Sequence, residues 1–226
     1  MRPAGIALWL VAAVTLHAPR ANAQTSGPRS RVEIGAGLLW AGSLPLGARP
    51  ATETTSPGGT SVLFNSSSQL SGAAGLSGRI GVRVTRSLVV EGDASYLKPQ
   101  VRVSLSGDAE SAPPITAIES VEQYTFGAKA LWYLARGRSP SRLAPFAMAG
   151  GGYLRQLHEQ ATLVETGRFF QIGGGVSAML ATRPHFHTKG AGLRFDVSAL
   201  IRSQGVAFDD GAKTSPAAGV SAFVRF

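Results

Sequence analysis

The sequence predicts an all-β protein, an eight-stranded antiparallel up-and-down transmembrane β-barrel, from three observations. Apolar and polar residues alternate in eight segments of about ten residues or more, which is the length of a tilted strand that crosses a bilayer. Charged residues make up only 15% of the chain, and within the cores of the segments one side of the alternation is almost free of them. After residue 23, no apolar run reaches the roughly eighteen residues of a membrane-spanning helix.

The first four predicted strands, 31–42, 74–84, 88–97 and 120–134, are identified by apolar residues two positions apart. Their apolar faces are, in chain order, Val32, Ile34, Ala36, Leu38 and Trp40; Leu76, Ile80, Val82 and Val84; Leu88, Val90, Ala94 and Tyr96; and Tyr124, Phe126, Ala128, Ala130, Trp132 and Leu134. Together with the four strands below they make eight, and an even number is typical of single-chain bacterial barrels.

The last four predicted strands are 143–157, 169–181, 191–203 and 216–226. Their apolar faces are, in chain order, Phe146, Met148, Gly150, Gly152 and Leu154; Phe170, Ile172, Val176, Ala178 and Leu180; Leu193, Phe195, Val197, Ala199 and Ile201; and Ala218, Val220, Ala222, Val224 and Phe226. The same face of each strand is expected to meet lipid.

The connections support this arrangement because they tend to alternate in length. The segments 43–73 and 98–119 are long, whereas only 85–87 joins the second strand to the third. Transmembrane barrels keep short turns on the periplasmic side and longer loops outside. The Pro, Gly, Ser and Thr content of 45–71 predicts a mobile outer loop, and 101–105 is a candidate strand that extends a hairpin above the membrane.

The N-terminus has the pattern of a secretory signal peptide. Arg2 forms a basic start, residues 6–16 form an apolar core, and Ala21-Asn22-Ala23 matches a small-x-small cleavage site. Eleven apolar residues span only about 16 Å as a helix, roughly half of the hydrocarbon core. We therefore expect two parts, a cleaved signal peptide at 1–23 and a barrel domain at 24–226.

Two short motifs resemble those of a known class of proteins. Leu143-Ala144-Pro145-Phe146, followed by Gly150-Gly151-Gly152-Tyr153, resembles a strand that is frequent in small OmpA-like and OmpX-like outer-membrane barrels. The segment 91–96 (EGDASY) resembles their third strand, and the aromatic C-terminal strand resembles theirs. This resemblance implies the outer membrane of a Gram-negative bacterium, and it implies that Val220, Ala222, Val224 and Phe226 form the signal for the barrel assembly machinery.

The other side of each predicted strand is assigned to the lumen because a charge facing lipid at the bilayer midplane costs about 2–4 kcal/mol. The predicted lumen charges are Glu33, Arg79, Arg83, Glu91, Asp93, Lys129, Arg155, Arg194, Asp196, Arg202 and Arg225. Eight strands enclose a space that side chains can fill. Each acid should therefore meet an Arg or Lys in a plugged lumen. A functional relay through these charges is the alternative to structural pairing.

Aromatic residues are expected in a girdle at the two membrane interfaces. The candidates are Trp40, Tyr96, Tyr124, Phe126, Trp132, Phe146, Phe170 and Phe226. The alternative is that they are ordinary core aromatics. Periodicity alone does not distinguish this barrel from a soluble one with apolar residues inside, but the signal peptide and the terminal Phe226 favour the membrane arrangement.

The sequence offers no recognisable catalytic, cofactor or metal site. The chain has no cysteine, and no catalytic or phosphate-binding motif is present. His185 and His187 could share one metal ion, but no Cys or carboxylate nearby completes a ligand set. The net charge of +9 invites a nucleic-acid function, which is disfavoured because the basic residues follow no recognisable module.

These observations predict a non-enzymatic protein with a structural or surface-interaction role, in which the loops 43–73 and 98–119 contact an external ligand. A narrow channel for small or apolar solutes, like the OmpW-type barrels, is the alternative. The expected partners are outer-membrane lipid and lipopolysaccharide, which divalent cations could bridge to acidic outer loops. No loop has an EF-hand spacing, so a dedicated calcium site is not expected.

Overall fold

The computed structural model describes residues 32–55, 58–109, 112–134, 143–158, 164–182, 188, 190–203 and 211–226. The predicted signal peptide lies outside these residues, as do His185 and His187. Within the described residues there are eleven strands: β1 (Val32–Ala41), β2 (Leu44–Thr55), β3 (Gly59–Leu70), β4 (Ala73–Arg83), β5 (Leu88–Leu97), β6 (Gln100–Ser106), β7 (Ile115–Tyr133), β8 (Leu143–His158), β9 (Val164–Thr182), β10 (Gly190–Ser203) and β11 (Lys213–Arg225). No helix among the described residues is long and apolar enough to cross a membrane.

Eight of the described strands close into an antiparallel barrel in the order β1, β4, β5, β7, β8, β9, β10, β11 and back to β1. The closing pair is β1 with β11, in a register that places Glu33 opposite Arg225 and Trp40 opposite Ala218. The prediction of an eight-stranded barrel is therefore confirmed. The eight predicted segments correspond to the eight barrel strands, although the structure begins β7 and β9 about five residues earlier.

The predicted mobile loop at 45–71 is instead a hairpin of two twelve-residue strands, β2 and β3. β3 pairs with β6, and β6 pairs with the first part of β7, so a four-stranded sheet extends from the outer end of the barrel. The candidate strand 101–105 is the middle of β6. Composition missed the hairpin because Ser and Thr suit turns and exposed strands alike, whereas the pairing with β6 is a tertiary contact.

An apolar cluster holds this outer sheet against the barrel. Leu44, Leu46, Leu70, Val101 and Val121 are buried together where β2, β3 and β6 leave the barrel. Val121 lies on the lumen side of β7, the same side as Gln123 and Thr125. The cluster therefore covers the outer end of the lumen.

The short turn between β4 and β5 is closed by local hydrogen bonds. The backbone N–H of Val84 donates to the Leu88 carbonyl at 3.0 Å, and the Thr85 hydroxyl accepts from the backbone N–H groups of Ser87 and Leu88. These bonds satisfy backbone polar groups of the turn within a few residues, so no long loop is needed. Short turns are typical of the periplasmic end of a transmembrane barrel.

Candidate functional site in the barrel lumen

The centre of the lumen is a network of buried ion pairs, one of which joins opposite walls. Arg194 on β10 donates from Nη1 to Glu91 Oε2 at 2.7 Å and from Nη2 to Glu33 Oε1 at 2.9 Å. Glu91 and Arg194 are each only 1% exposed. Since β5 and β10 are four strands apart on an eight-strand ring, this contact spans the barrel.

Three more basic side chains complete the network. Arg79 Nη1 lies 3.0 Å from Glu91 Oε2 and 3.4 Å from Glu33 Oε1. Arg225 Nε donates to Glu33 Oε2 at 2.8 Å. Lys129 Nζ lies 3.4 Å from Glu91 Oε1 and 3.7 Å from Asp93 Oδ1. Together these contacts place three acids among four basic groups, so each of the three acids lies against at least one cation.

Glycines on the inner wall make room for these long side chains. A Cβ at Gly35 would lie 2.6 Å from Arg79 Nε, and one at Gly192 would lie 2.6 Å from the Phe223 ring. The ring of Phe223 in turn packs beneath two guanidinium groups, with Arg79 and Arg225 at 5.7 and 4.8 Å from its centroid. The glycine-rich strands therefore allow the lumen to hold both Arg and aromatic side chains.

The periplasmic end of the lumen is apolar. Val89, Leu131, Tyr133, Phe146 and Met148 are buried together there. The Tyr133 and Phe146 rings pack at 5.6 Å between centroids, and the Arg194 guanidinium lies 5.2 Å above the Phe146 ring. This layer separates the ion pairs from the periplasm, so the described lumen is blocked at this end by packed side chains.

Comparison with solved structures identifies this architecture. The chain is similar to the outer membrane protein OprG from Pseudomonas aeruginosa, with a TM-score of 0.50 and 12% identity over 87% of this chain and 95% of that chain. The fold is that of a bacterial outer-membrane β-barrel. Similarity extends to Neisserial surface protein A (TM-score 0.45, 18% identity, covering 86% and 95% of the two chains) and to Ail of Yersinia pestis (TM-score 0.40, 12% identity, covering 88% and 100%). No protein-family model and no curated protein matches the sequence.

The exterior of this outer-membrane barrel presents apolar side chains where lipid is expected. Ile80, Val197, Leu38 and Phe195 are each about half exposed or more. Trp40, Phe126, Trp132, Phe170 and Phe226 also point outward, and their place in an interfacial girdle stays a prediction. A soluble domain would bury such residues, so the surface is that of a protein of the bacterial outer membrane.

Strand β8 has the opposite orientation to the one predicted from its alternation. Phe146, Met148 and Leu154 face the lumen, whereas Tyr153 and Arg155 are exposed on the outside. The predictions of Arg155 as a lumen charge and of Phe146 as a girdle residue are therefore wrong. Both faces of β8 carry small or apolar residues, so the sequence pattern was ambiguous there. Its register with β7, Tyr133 opposite Phe146, decides the orientation.

The other predicted lumen charges differ in their surroundings. Arg83 is half-buried at the periplasmic end, with its guanidinium 5.4 Å from the Tyr133 ring centroid. Asp196 faces a cavity of about 50 Å³, whose lining also includes Asp93 and Lys129, and it forms no ion pair with a described residue. The expectation that every acid meets a cation therefore fails for Asp196, which this cavity has room to hydrate.

The outer half of the lumen holds polar side chains that the charge pattern missed. Gln123 and Gln156 are 1% and 2% exposed and are hydrogen-bonded to each other. Ser95 and Thr125 share a hydrogen bond, and Gln171 donates to Ser198 at 3.1 Å. All six lie at lumen positions of their strands. The alternation of inward and outward positions along each strand is therefore the sequence signal that marks them.

The proposed assembly residues lie on the outside of β11. Val220 and Phe226 are exposed, and the alternation places Ala222 and Val224 on the same side. The backbone N–H of Phe226 donates to the Val32 carbonyl at 2.9 Å, which joins β11 to β1. Their role in assembly stays a prediction. Among the described residues, no group of three His, Cys, Asp or Glu side chains could hold a metal ion.

Proposed function

We propose that the protein is a non-enzymatic outer-membrane barrel that carries an extracellular binding surface on the sheet formed by β2, β3, β6 and residues 115–120 of β7. The observation that carries this proposal is the filling of the lumen by a network of buried ion pairs, in which Arg194 and Glu91 join opposite walls, with an apolar layer at each end. Transport through such a lumen would require several buried ion pairs to separate, and separating a buried pair costs about 3–5 kcal/mol.

The outer sheet offers a surface for recognition. On one of its faces Asn65, Ser67, Gln69, Arg102 and Ser104 follow one another across β3 and β6. Nearly all of these side chains are exposed hydrogen-bonding groups on a regular scaffold. The two segments predicted to bind an external ligand, 43–73 and 98–119, are thus joined in a single sheet.

The test removes the outer part of the hairpin and leaves its buried base. Replacing 49–66 with Asn-Gly joins Ala48 to Ser67, which are paired in the sheet, by a favoured two-residue turn. The same variant carries alanine at Ser67, Gln69, Arg102 and Ser104, the polar positions of the sheet that the truncation leaves in place. We expect bacteria that express this variant to lose surface adhesion and serum survival while the barrel still shows heat-modifiable migration on gels. Unchanged adhesion and survival with an intact barrel would reject the proposal.

A narrow channel is the second candidate, and one observation favours it. Leu39 and Gln171 line both the 50 Å³ cavity and a second cavity of about 30 Å³ nearer the outer end. The outer half of the lumen therefore contains adjoining spaces. Planar-bilayer recording separates the two functions: steady conductance by the intact protein supports the channel, and its absence supports the closed barrel.

A further inference from the structure

Arg202 is a buried cation in the outer half of the lumen, and no described carboxylate forms an ion pair with it. It is 5% exposed, and its Nη1 donates to Gln123 Oε1 at 3.1 Å. Its Nε is buried without a hydrogen-bond partner in the described part of the chain. Within that part, no carboxylate forms an ion pair with it. A buried charge that lacks a counter-charge is strongly unfavourable.

Arg202 differs from Arg194 in having no carboxylate partner among the described residues. Both residues lie on the lumen side of β10, but Arg194 meets Glu33 and Glu91 within 2.9 Å. The acid on the lumen side of the same strand, Asp196, is six residues from Arg202, about 20 Å along an extended strand. The carboxylates of the central lumen therefore do not compensate Arg202.

A cavity of about 30 Å³ lies beside Arg202 and is lined by groups that can donate hydrogen bonds. Ser95 and Thr125 contribute hydroxyl groups, and Gln123 and Gln171 contribute carboxamides. Leu39, Leu97, Phe169 and Leu200 form apolar walls. The space is sufficient for one small ion or about two water molecules but is too small for a phosphate group or an organic acid.

We propose that the outer half of the lumen binds one monatomic anion, chloride under ordinary conditions, between the Arg202 guanidinium and the side chains of Ser95, Gln123, Thr125 and Gln171. The anion supplies the counter-charge that the described residues do not provide at this position. The site is independent of the proposed surface function, since it lies beneath the buried cluster at the base of the outer sheet.

The direct test uses the intact refolded barrel in detergent. Crystals soaked in bromide should give an anomalous peak next to the Arg202 guanidinium. In solution, chloride at ten times its dissociation constant should raise the unfolding midpoint by about 3–6 °C relative to gluconate of equal ionic strength, because gluconate is too large for the cavity. A site that holds only water, or a guanidinium paired with a carboxylate in the crystal, would overturn the proposal.

Two variants and a control connect the effect to Arg202. Gln123→Glu places a carboxylate where the Gln123 oxygen now lies, so this variant should lose the chloride dependence and match or exceed the wild-type midpoint in gluconate. Arg202→Gln should also lose the dependence. Arg155→Gln, the same change at an exposed arginine, should keep it. A chloride shift that persists in Gln123→Glu and Arg202→Gln would exclude this site as its origin.

Discussion

Arg194 and Glu91 join opposite walls of the barrel, with Nη1 only 2.7 Å from Oε2 and both side chains almost fully buried. The two residues are 103 positions apart in the chain. Glu91 also contacts Arg79 and Lys129, so a single carboxylate holds three cations in the middle of the lumen. The network therefore links strands on opposite sides of the barrel and also fills the lumen.

Removing the charge of Glu91 should destabilise the barrel strongly. Glu91→Gln leaves buried cations without their counter-charge, and we expect the free energy of unfolding to fall by about 3–5 kcal/mol, as measured by urea unfolding in lipid vesicles. The control is Glu119→Gln. Glu119 is 2.8 Å from His158, but its side chain is 47% exposed, so we expect a change below about 1 kcal/mol. Equal effects would contradict a structural role for the network.

A methyl group at Gly175 should disturb the inner wall. Its Cβ would clash with the Phe195 carbonyl oxygen and lie 2.8 Å from the Phe146 ring, so backbone and ring would have to shift. We expect Gly175→Ala to lower the free energy of unfolding by about 1–3 kcal/mol. Gly78→Ala is the matched control, because nothing lies within 4 Å of the new Cβ. Comparable losses in both variants would indicate that packing around Gly175 is looser than the structure implies.

A charge on the outer surface should report the position of the bilayer. Val197 is 65% exposed in the middle of β10, and Val164 is 44% exposed at the outer end of β9. We expect Val197→Arg to cost about 2–4 kcal/mol in vesicles and Val164→Arg about 0–1 kcal/mol, by the same urea assay. If the order were reversed, the apolar band would not be the lipid-facing surface.

The outer sheet should depend on its buried base. Leu46 is fully buried in the cluster at the outer end of the barrel. Leu46→Ser should cost at least about 2 kcal/mol, which raises the population of the detached hairpin by a factor of about 30. Proteinase K digestion of cells that display the protein measures this population. The control is Val62→Ser, at a residue of the same hairpin that is 49% exposed, and its digestion rate should be near that of the wild type. Rapid digestion of the hairpin in the wild-type protein would argue against a docked sheet.

The sequence by itself determined the barrel, its strand number and the side of most strands. In a strand with period-two alternation over ten residues or more, only one of the two faces can meet lipid without exposing charges to it. On β1, β4, β5, β10 and β11, one face carries the charges, so its direction was unambiguous. On β8 both faces are mostly apolar or small, and its pairing with β7 and β9 turned Phe146 inward and Arg155 outward.

Only the tertiary structure decided which side chains pair in the lumen and that a sheet extends from the outer end of the barrel. Which acid meets which base depends on strands far apart in sequence, as Arg194 and Glu91 show. The pairing of β3 with β6 joins two segments that looked like separate loops. Local sequence specifies the face on which a side chain lies, but contacts across the lumen depend on the register of every strand between them. The sequence therefore identified most charges of the lumen, with Arg155 as an exception. Closure of the barrel decided that Glu33, Glu91 and Asp93 lie against cations and that Arg202 has no acidic partner among the described residues.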